Sequence, residues 1–216
     1  MKLFLDTAVI EEIREISSWG VLSGITTNPS LLAKAGRSVP DFMREIDSLV
    51  KGPLSLEVTA ESSEEMLKEA RKLRGYGENV VIKLPLTQEG LKTCGRLKEE
   101  GISSNLTLVF SANQALLAAA AGADYVSPFI GRLNDNGADG NGLVREIRTI
   151  FDRYGITTKI IAASIRDPRN VTEAALNGAD IATIPYVVMK KMINHPLTVD
   201  GLRKFKEDWE NSCLSL

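Results

Sequence analysis

Eight short β-rich runs, each followed by a stretch with helical periodicity, constrain this chain more than any other feature. The runs lie near residues 2–5, 22–25, 54–58, 79–84, 102–108, 124–128, 157–163 and 180–184. After the first, Val9, Ile13 and Ile16 share one helical face. After the third, Met66, Leu67, Ala70 and Leu73 share another, and Ser62 with Glu65 has capping-box spacing at that helix's start. Four junctions, Gly101-Ile102, Gly122-Ala123-Asp124, Gly155-Ile156 and Gly178-Ala179-Asp180, put a glycine where a helix should end, which suits a left-handed cap. The second and fourth junctions echo one another, and Pro128 or Pro185 closes the strand that follows. No linker or composition shift divides the 216 residues. The pattern therefore predicts one α/β domain spanning 1–216, a (β/α)8 TIM barrel at the short end of its size range. A doubly wound open sheet is the alternative, but no Gly-x-Gly-x-x-Gly follows a strand. An extra C-terminal helix is expected at about 198–211, where Leu202, Phe205 and Trp209 should pack across the barrel or on a neighbouring subunit.

Composition narrows the chemistry. With 26 basic and 28 acidic residues the net charge is −2, which gives no reason to expect nucleic acid or an anionic membrane as a partner. The longest apolar stretch, from Ala115 to Ala121, is too short to span a bilayer. The start, Met1 to Asp6, meets an acid too soon for a signal peptide. Cys94 and Cys213 are far apart and match no metal spacing, which favours a reduced, cytoplasmic compartment. The single histidine, His195, reads as a solvated loop residue. A Ser-His-Asp triad or a multi-histidine zinc site has almost no material, so lysine, carboxylates and hydroxyls are the available catalytic groups.

Lys83 is the residue that breaks its local pattern. It follows Val80, Val81 and Ile82 and precedes Leu84 and Pro85, a run that reads as a buried strand closed by a proline. A buried ammonium is costly unless paired or deprotonated, and a neutral amine can attack a carbonyl to form a Schiff base. Glu57, between Leu56 and Val58, should likewise be paired or protonated. In a barrel the chemistry lies at the C-terminal strand ends. There the first strand ends in Asp6, the second runs into Asn28, the fifth offers Asn105 and Thr107, and the sixth ends at Ser127-Pro128-Phe129 with Arg132 beyond. The seventh ends at Ser164, followed by Arg166. Taken singly, Asp6 could cap a helix, Asn28-Pro29 could open a turn and the arginines could be surface charges. Nearly every strand sends a polar group to the same end.

These segments together resemble the transaldolase family. The resemblance rests on Leu5-Asp6-Thr7, Thr26-Thr27-Asn28-Pro29-Ser30-Leu31, Val81-Ile82-Lys83-Leu84-Pro85, Asn105 to Ser111, Ser127 to Arg132 and Ala163-Ser164-Ile165-Arg166. The size is similar to that of its short branch, which also contains fructose-6-phosphate aldolases. The resemblance implies a (β/α)8 barrel that transfers a dihydroxyacetone unit between sugar phosphates, with no metal or organic cofactor. It implies a Schiff base on Lys83, Asp6 as acid and base at C4, and Glu57 and Thr107 holding a water. Asn28, Asn105, Ser127 and Ser164 would orient the sugar chain, and Arg132 and Arg166 would grip the phosphate. It further implies a homo-oligomer, a decamer built of two pentamers.

Two positions bear on transfer against simple cleavage. The aldolase branch typically has glutamine at the water-holding position and tyrosine after the Ser/Ala-Pro of the sixth strand. Here these are Glu57 and Phe129, as in transaldolases. A fructose-6-phosphate aldolase using the same Schiff base is the alternative, and a non-catalytic phosphosugar-binding barrel is a remote one. The segment from Gly131 to Gly142 is rich in glycine and acids and lacks the ending of a nucleotide P-loop. It reads as a flexible loop beside the site, and its ligand spacing does not fit an EF-hand.

Overall fold

The computed structural model describes residues 1–46 and 49–212, and Cys213 lies outside the described residues. Eight parallel strands follow one another in chain order and close into a barrel where the last meets the first. They are β1 (Lys2–Asp6), β2 (Leu22–Thr26), β3 (Leu54–Glu57), β4 (Val80–Pro85), β5 (Ser104–Val109), β6 (Tyr125–Pro128), β7 (Lys159–Ala162) and β8 (Ile181–Pro185). The connecting helices are α1 (Ile10–Ser18), α2 (Pro29–Ala35), α3 (Val39–Ile46), α4 (Ser63–Arg74), α5 (Gln88–Glu99) and α6 (Ala112–Ala120). They continue with α7 (Ile130–Asp135), α8 (Gly140–Tyr154), α9 (Pro168–Leu176), α10 (Tyr186–Met192) and α11 (Pro196–Asn211). The fold is the (β/α)8 barrel that the alternation predicts, with α11 as an added C-terminal helix.

Each strand divides its side chains between two environments with the period of two that a pleated strand imposes. Leu5, Ile25, Leu56, Ile82, Leu84, Leu106, Val126 and Ile160 face outward. They pack with Ile13, Met66, Leu97, Ala115, Ile147 and Val188 of the helices in one large core. Burying one such Leu or Ile contributes about 1.5–3 kcal/mol. Phe4, Ile161 and Ile181 face inward and form a separate cluster with Tyr125, which fills the lower barrel. Gly24 makes room for this plug, since a Cβ there would meet the Phe4 ring at 2.6 Å. Two residues further along β1, β6 and β8, the inward positions are polar: Asp6, Ser127 and Thr183.

The helix ends follow local chemistry. The four junction glycines, Gly101, Gly122, Gly155 and Gly178, all have positive φ, between 62° and 87°. The echo between two of those junctions has a physical basis. Asp124 accepts the Ser104 N–H at 3.0 Å and Asp180 accepts the Ile160 N–H at 2.7 Å, so each ties its strand to the start of the preceding one. Ser62 caps α4 by accepting the Glu65 N–H, but Glu65 returns to the serine hydroxyl rather than to its backbone, so the capping box is half made. Ile10 joins Ile13 and Ile16 on the buried face of α1, while Val9 is its half-buried N-cap.

Three expectations are corrected. The stretch from Gly131 to Gly142 is mostly helical: α7 and α8 flank a short turn, and Asp139 caps α8 by accepting the Gly142 N–H at 2.8 Å. His195 is the exposed loop residue expected, and it also caps α11, its Nδ1 accepting the Leu197 N–H at 3.2 Å. Pro196 then occupies the first helical position, so the helix begins two residues before the expected 198. Leu202, Phe205 and Trp209 do not pack across their own barrel: they are 64%, 70% and 44% exposed.

Candidate active site

At the C-terminal ends of the strands the polar side chains converge on a cavity of about 150 Å³. Asp6, Asn28, Lys83, Thr107, Ser127, Phe129, Arg132, Ser164 and Arg166 all line it, joined by Thr26, Ala163 and Thr183. Glu57 and Asn105 stand just behind this lining, each bonded to a residue that forms it. Larger depressions of about 420 and 840 Å³ lie at the opposite end of the barrel and along α8, but their charged side chains are exposed except for the half-buried Asp124, which is engaged by the Ser104 N–H. The small cavity is where buried reactive groups meet.

Lys83 forms its floor. It alternates along β4 with the outward Ile82 and Leu84, so the pleat points its side chain into the barrel. Its side chain is 7% exposed, and Nζ lies 3.0 Å from Glu57 Oε2. Glu57 is directly opposite in the β3–β4 register. Lys83 Nζ also donates to the Thr27 carbonyl at 3.1 Å. The two residues that break apolar runs in the sequence are thus each other's partner, which offsets the cost of burying either alone.

Asp6 ends β1 beside this pair. It does not cap α1, whose N-cap is Val9. Thr26, opposite it on β2, donates to Asp6 Oδ1 at 2.8 Å. Burial pushes the Asp6 carboxyl above the ordinary aspartate value; the Lys83 charge and the Thr26 bond oppose that rise, and Glu57 adds slightly to it. A carboxyl so placed can exchange a proton nearer to neutral pH than a solvated one.

The polar wall is built by β5 and β6. Ser127 donates to Asn105 Oδ1 at 2.7 Å, and the Asn105 amide donates to Ser55 Oγ at 3.4 Å, so the amide is held from both sides. Thr107 Oγ1 is buried with no hydrogen-bond partner among the described residues, the state of a hydroxyl that a water or a sugar oxygen would satisfy. Asn28 serves two purposes. It caps α2 by accepting the Leu31 N–H at 2.9 Å, as its turn-forming sequence suggests, and it lines the cavity.

The rim carries the two arginines. Arg132, on α7, lies 5.1 Å from the Phe129 ring centroid and 5.9 Å from that of Phe110, and the two rings meet edge to face. Arg166 reaches Asp135 Oδ2 through Nη2 at 3.0 Å and Nε at 3.2 Å. Both arginines are exposed, Arg132 against the two rings and Arg166 with two of its guanidinium nitrogens on Asp135. β6 stops at Pro128, where its run was read to end, and β7 stops at Ala162, one residue short of its run. A single bridge from Phe129 to Ala163 then turns the chain, and Ser164 adopts φ 61°. Gly131 allows this packing, because a Cβ there would lie 1.7 Å from the Ser164 carbonyl oxygen.

Sequence reasoning missed Thr183 and gave Thr26 no role. A threonine in a strand is ordinary. The only signal was register, since Thr183 stands two positions beyond the inward Ile181.

The sequence matches the family described as Transaldolase/Fructose-6-phosphate aldolase over residues 3–216. A protein of Alkaliphilus metalliredigens named probable transaldolase is 59% identical over 210 residues, covering 97% of this chain and 98% of its own. One of Thermoanaerobacter sp. with the same name is 54% identical over the whole of both chains. Among solved structures, a mandelate oxidase mutant with an FMN adduct superposes with a TM-score of 0.59 at 14% identity, over 87% of this chain and 65% of that one. That likeness concerns the barrel alone. With the family match spanning nearly the whole sequence and relatives this similar over their full length, the chain belongs to the transaldolase and fructose-6-phosphate aldolase family.

Proposed function

We propose that this protein is a transaldolase of carbohydrate metabolism in the cytoplasm, acting in the pentose phosphate pathway, with residues 1–216 as one catalytic domain. It moves a dihydroxyacetone unit from fructose 6-phosphate or sedoheptulose 7-phosphate to erythrose 4-phosphate or glyceraldehyde 3-phosphate. The observation that carries the reading is the Lys83 amine, buried at the cavity floor 3.0 Å from a carboxylate, with two arginines at the rim. The relatives' names point the same way.

In this reading Lys83 Nζ adds to the ketose C2 carbonyl, and loss of water gives an imine. Glu57 beside the amine, with Thr107 across the cavity, handles the protons and the water of this step. Asp6 takes the C4 hydroxyl proton as the C3–C4 bond breaks, and the bonding electrons move into the protonated imine to give an enamine. The first aldose phosphate leaves. The enamine carbon then attacks the carbonyl of the second, and Asp6 returns its proton to the new alkoxide. Hydrolysis frees Lys83. Asn28, Asn105, Ser127 and Ser164 orient the hydroxyls, and Arg132 and Arg166 bind the phosphate through charge-assisted hydrogen bonds.

Glu57 and Phe129 favour transfer over cleavage. Phe129 lines the cavity and has no hydroxyl with which to protonate the enamine, so the intermediate persists until an acceptor arrives. The exposed apolar residues of α11 support assembly into a homo-oligomer. No described helix is long and apolar enough to cross a membrane. The test is a coupled assay of fructose 6-phosphate with and without erythrose 4-phosphate. Transaldolase activity gives sedoheptulose 7-phosphate and little free dihydroxyacetone. Efficient release of dihydroxyacetone without an acceptor means aldolase activity instead.

A further inference from the structure

Near the end of β5 stands a strained residue that the chemistry above does not use. Leu108 has φ 59°, a left-handed backbone that a bulky side chain rarely adopts. It sits in a bulge. Pairing between β5 and β6 runs from Leu106 opposite Val126 to Val109 opposite Pro128, so β5 takes three steps where β6 takes two. The extra residue reverses the alternation of side chains beyond it. Thr107 lines the cavity, but Val109, which an unbroken strand would also turn inward, is buried in the core against the helices. Phe110 then comes round to the rim of the site. Its N–H donates to Gln114 Oε1 on α6 at 2.7 Å, and the Phe129 N–H donates to the Val109 carbonyl at 2.9 Å, so the segments carrying the two rings are tied together.

At the rim Phe110 meets Arg132. The guanidinium carbon lies 5.9 Å from the Phe110 ring centroid and 5.1 Å from that of Phe129. The rings themselves pack edge to face, 5.8 Å apart, so Phe110 also steadies Phe129. The two rim arginines are thus held in different ways. Asp135 occupies two nitrogens of Arg166, whereas no carboxylate among the described residues pairs with Arg132. A carboxylate holds an arginine by taking its N–H donors and offsetting its charge. A ring face holds it through the π cloud, and the donors, which lie in the guanidinium plane, stay open.

We propose that Phe110 is a positioning residue for Arg132: together with Phe129 it holds the guanidinium at the rim by its rings alone and leaves the N–H donors for the phosphate of the sugar. The bulge at Leu108 is the device that delivers the ring. This role rests on the reading of Arg132 as a phosphate anchor.

The test is steady-state kinetics on fructose 6-phosphate with erythrose 4-phosphate as acceptor. Phe110→Leu removes the π face and keeps an apolar side chain. Its kcat/KM should fall roughly threefold to tenfold, with kcat at saturating substrates unchanged, as for a loss of binding common to ground and transition states. Phe110→Met should do the same, so the question stands even if the leucine variant misfolds, and Phe110→Tyr should keep the wild-type value. Borohydride trapping of Lys83 with dihydroxyacetone, which has no phosphate, should keep its wild-type rate in the leucine and methionine variants. In an Arg132→Ala background, Phe110→Leu should cost nothing further. An equal loss in both backgrounds, a slowed trapping rate, or a tyrosine variant that falls as far as leucine means general packing and overturns the proposal. Arg132→Ala separates the two ideas. If it leaves kcat/KM for fructose 6-phosphate unchanged, the reading of Arg132 as a phosphate anchor fails. If it lowers that value and Phe110→Leu does not, the positioning role alone fails.

Discussion

Asp6 is held where burial works against its charge, and that has a consequence for stability. Its folded-state pKa is raised, so between the ordinary aspartate value of about 4 and the raised one the folded protein binds more protons than the unfolded chain. Stability contributed by Asp6 is therefore lost as pH rises through that window. Asp6→Asn keeps the shape, removes the charge and should raise the thermal midpoint at pH 7, with the gain shrinking toward pH 4; a variant less stable than wild type at pH 7 contradicts this. Arg132 and Arg166 make a second prediction. Replacing either with alanine should cost sugar phosphates about 2–4 kcal/mol of transition-state binding, the worth of a charge-assisted contact, with far less effect on free dihydroxyacetone. Steady-state kinetics on both substrates checks it, and equal losses point to a structural role. Single residues were legible when they broke a local rule. Lys83 and Glu57 stood out as charges inside apolar runs, and the structure makes them partners. Thr183 broke no rule and stayed invisible until register brought it beside Thr26.

Among the elements, all eight strands fall on the runs read from the sequence, with ends displaced by one or two residues. Outward apolar residues alternate with inward ones, and the junction glycines mark where helices stop. The connection after β6 was misread because glycine, asparagine and aspartate are turn residues in bulk but cap and packing residues here. Asp139 caps α8, and Gly140 lies so close to Ile130 that a Cβ would meet its carbonyl oxygen at 2.3 Å. Gly131 is the tightest of these contacts, 1.7 Å from Ser164 O on the same measure. Gly131→Ala should therefore push α7 away from the turn after β7, cost about 1–3 kcal/mol of stability as overpacking does, and weaken sugar-phosphate use more than dihydroxyacetone use. Denaturant melts and kinetics on the two substrates read both effects. A variant with wild-type stability and substrate preference would mean that the two turns are not locked together.

At the scale of the whole molecule, the barrel and the gathering of its polar side chains at one end were legible in the sequence, but what α11 packs on was not. Its spacing promised a buried face, yet no residue of this helix is buried. Five large apolar side chains, Leu197, Val199, Leu202, Phe205 and Trp209, stand exposed along it, more than a lone surface helix normally shows. If they cover a second copy of the chain, sedimentation should show an oligomer in the wild type and smaller species in Phe205→Glu; a wild-type monomer contradicts this. In the proposed reaction Lys83 carries the substrate covalently, and one measurement reaches this directly. Wild-type protein is treated with borohydride and fructose 6-phosphate, digested and mapped by mass spectrometry. A reduced three-carbon adduct on Lys83 is expected, with loss of activity in step with its formation and no adduct in Lys83→Arg, whose guanidinium stays protonated. An adduct on another lysine, or none at all, would contradict it.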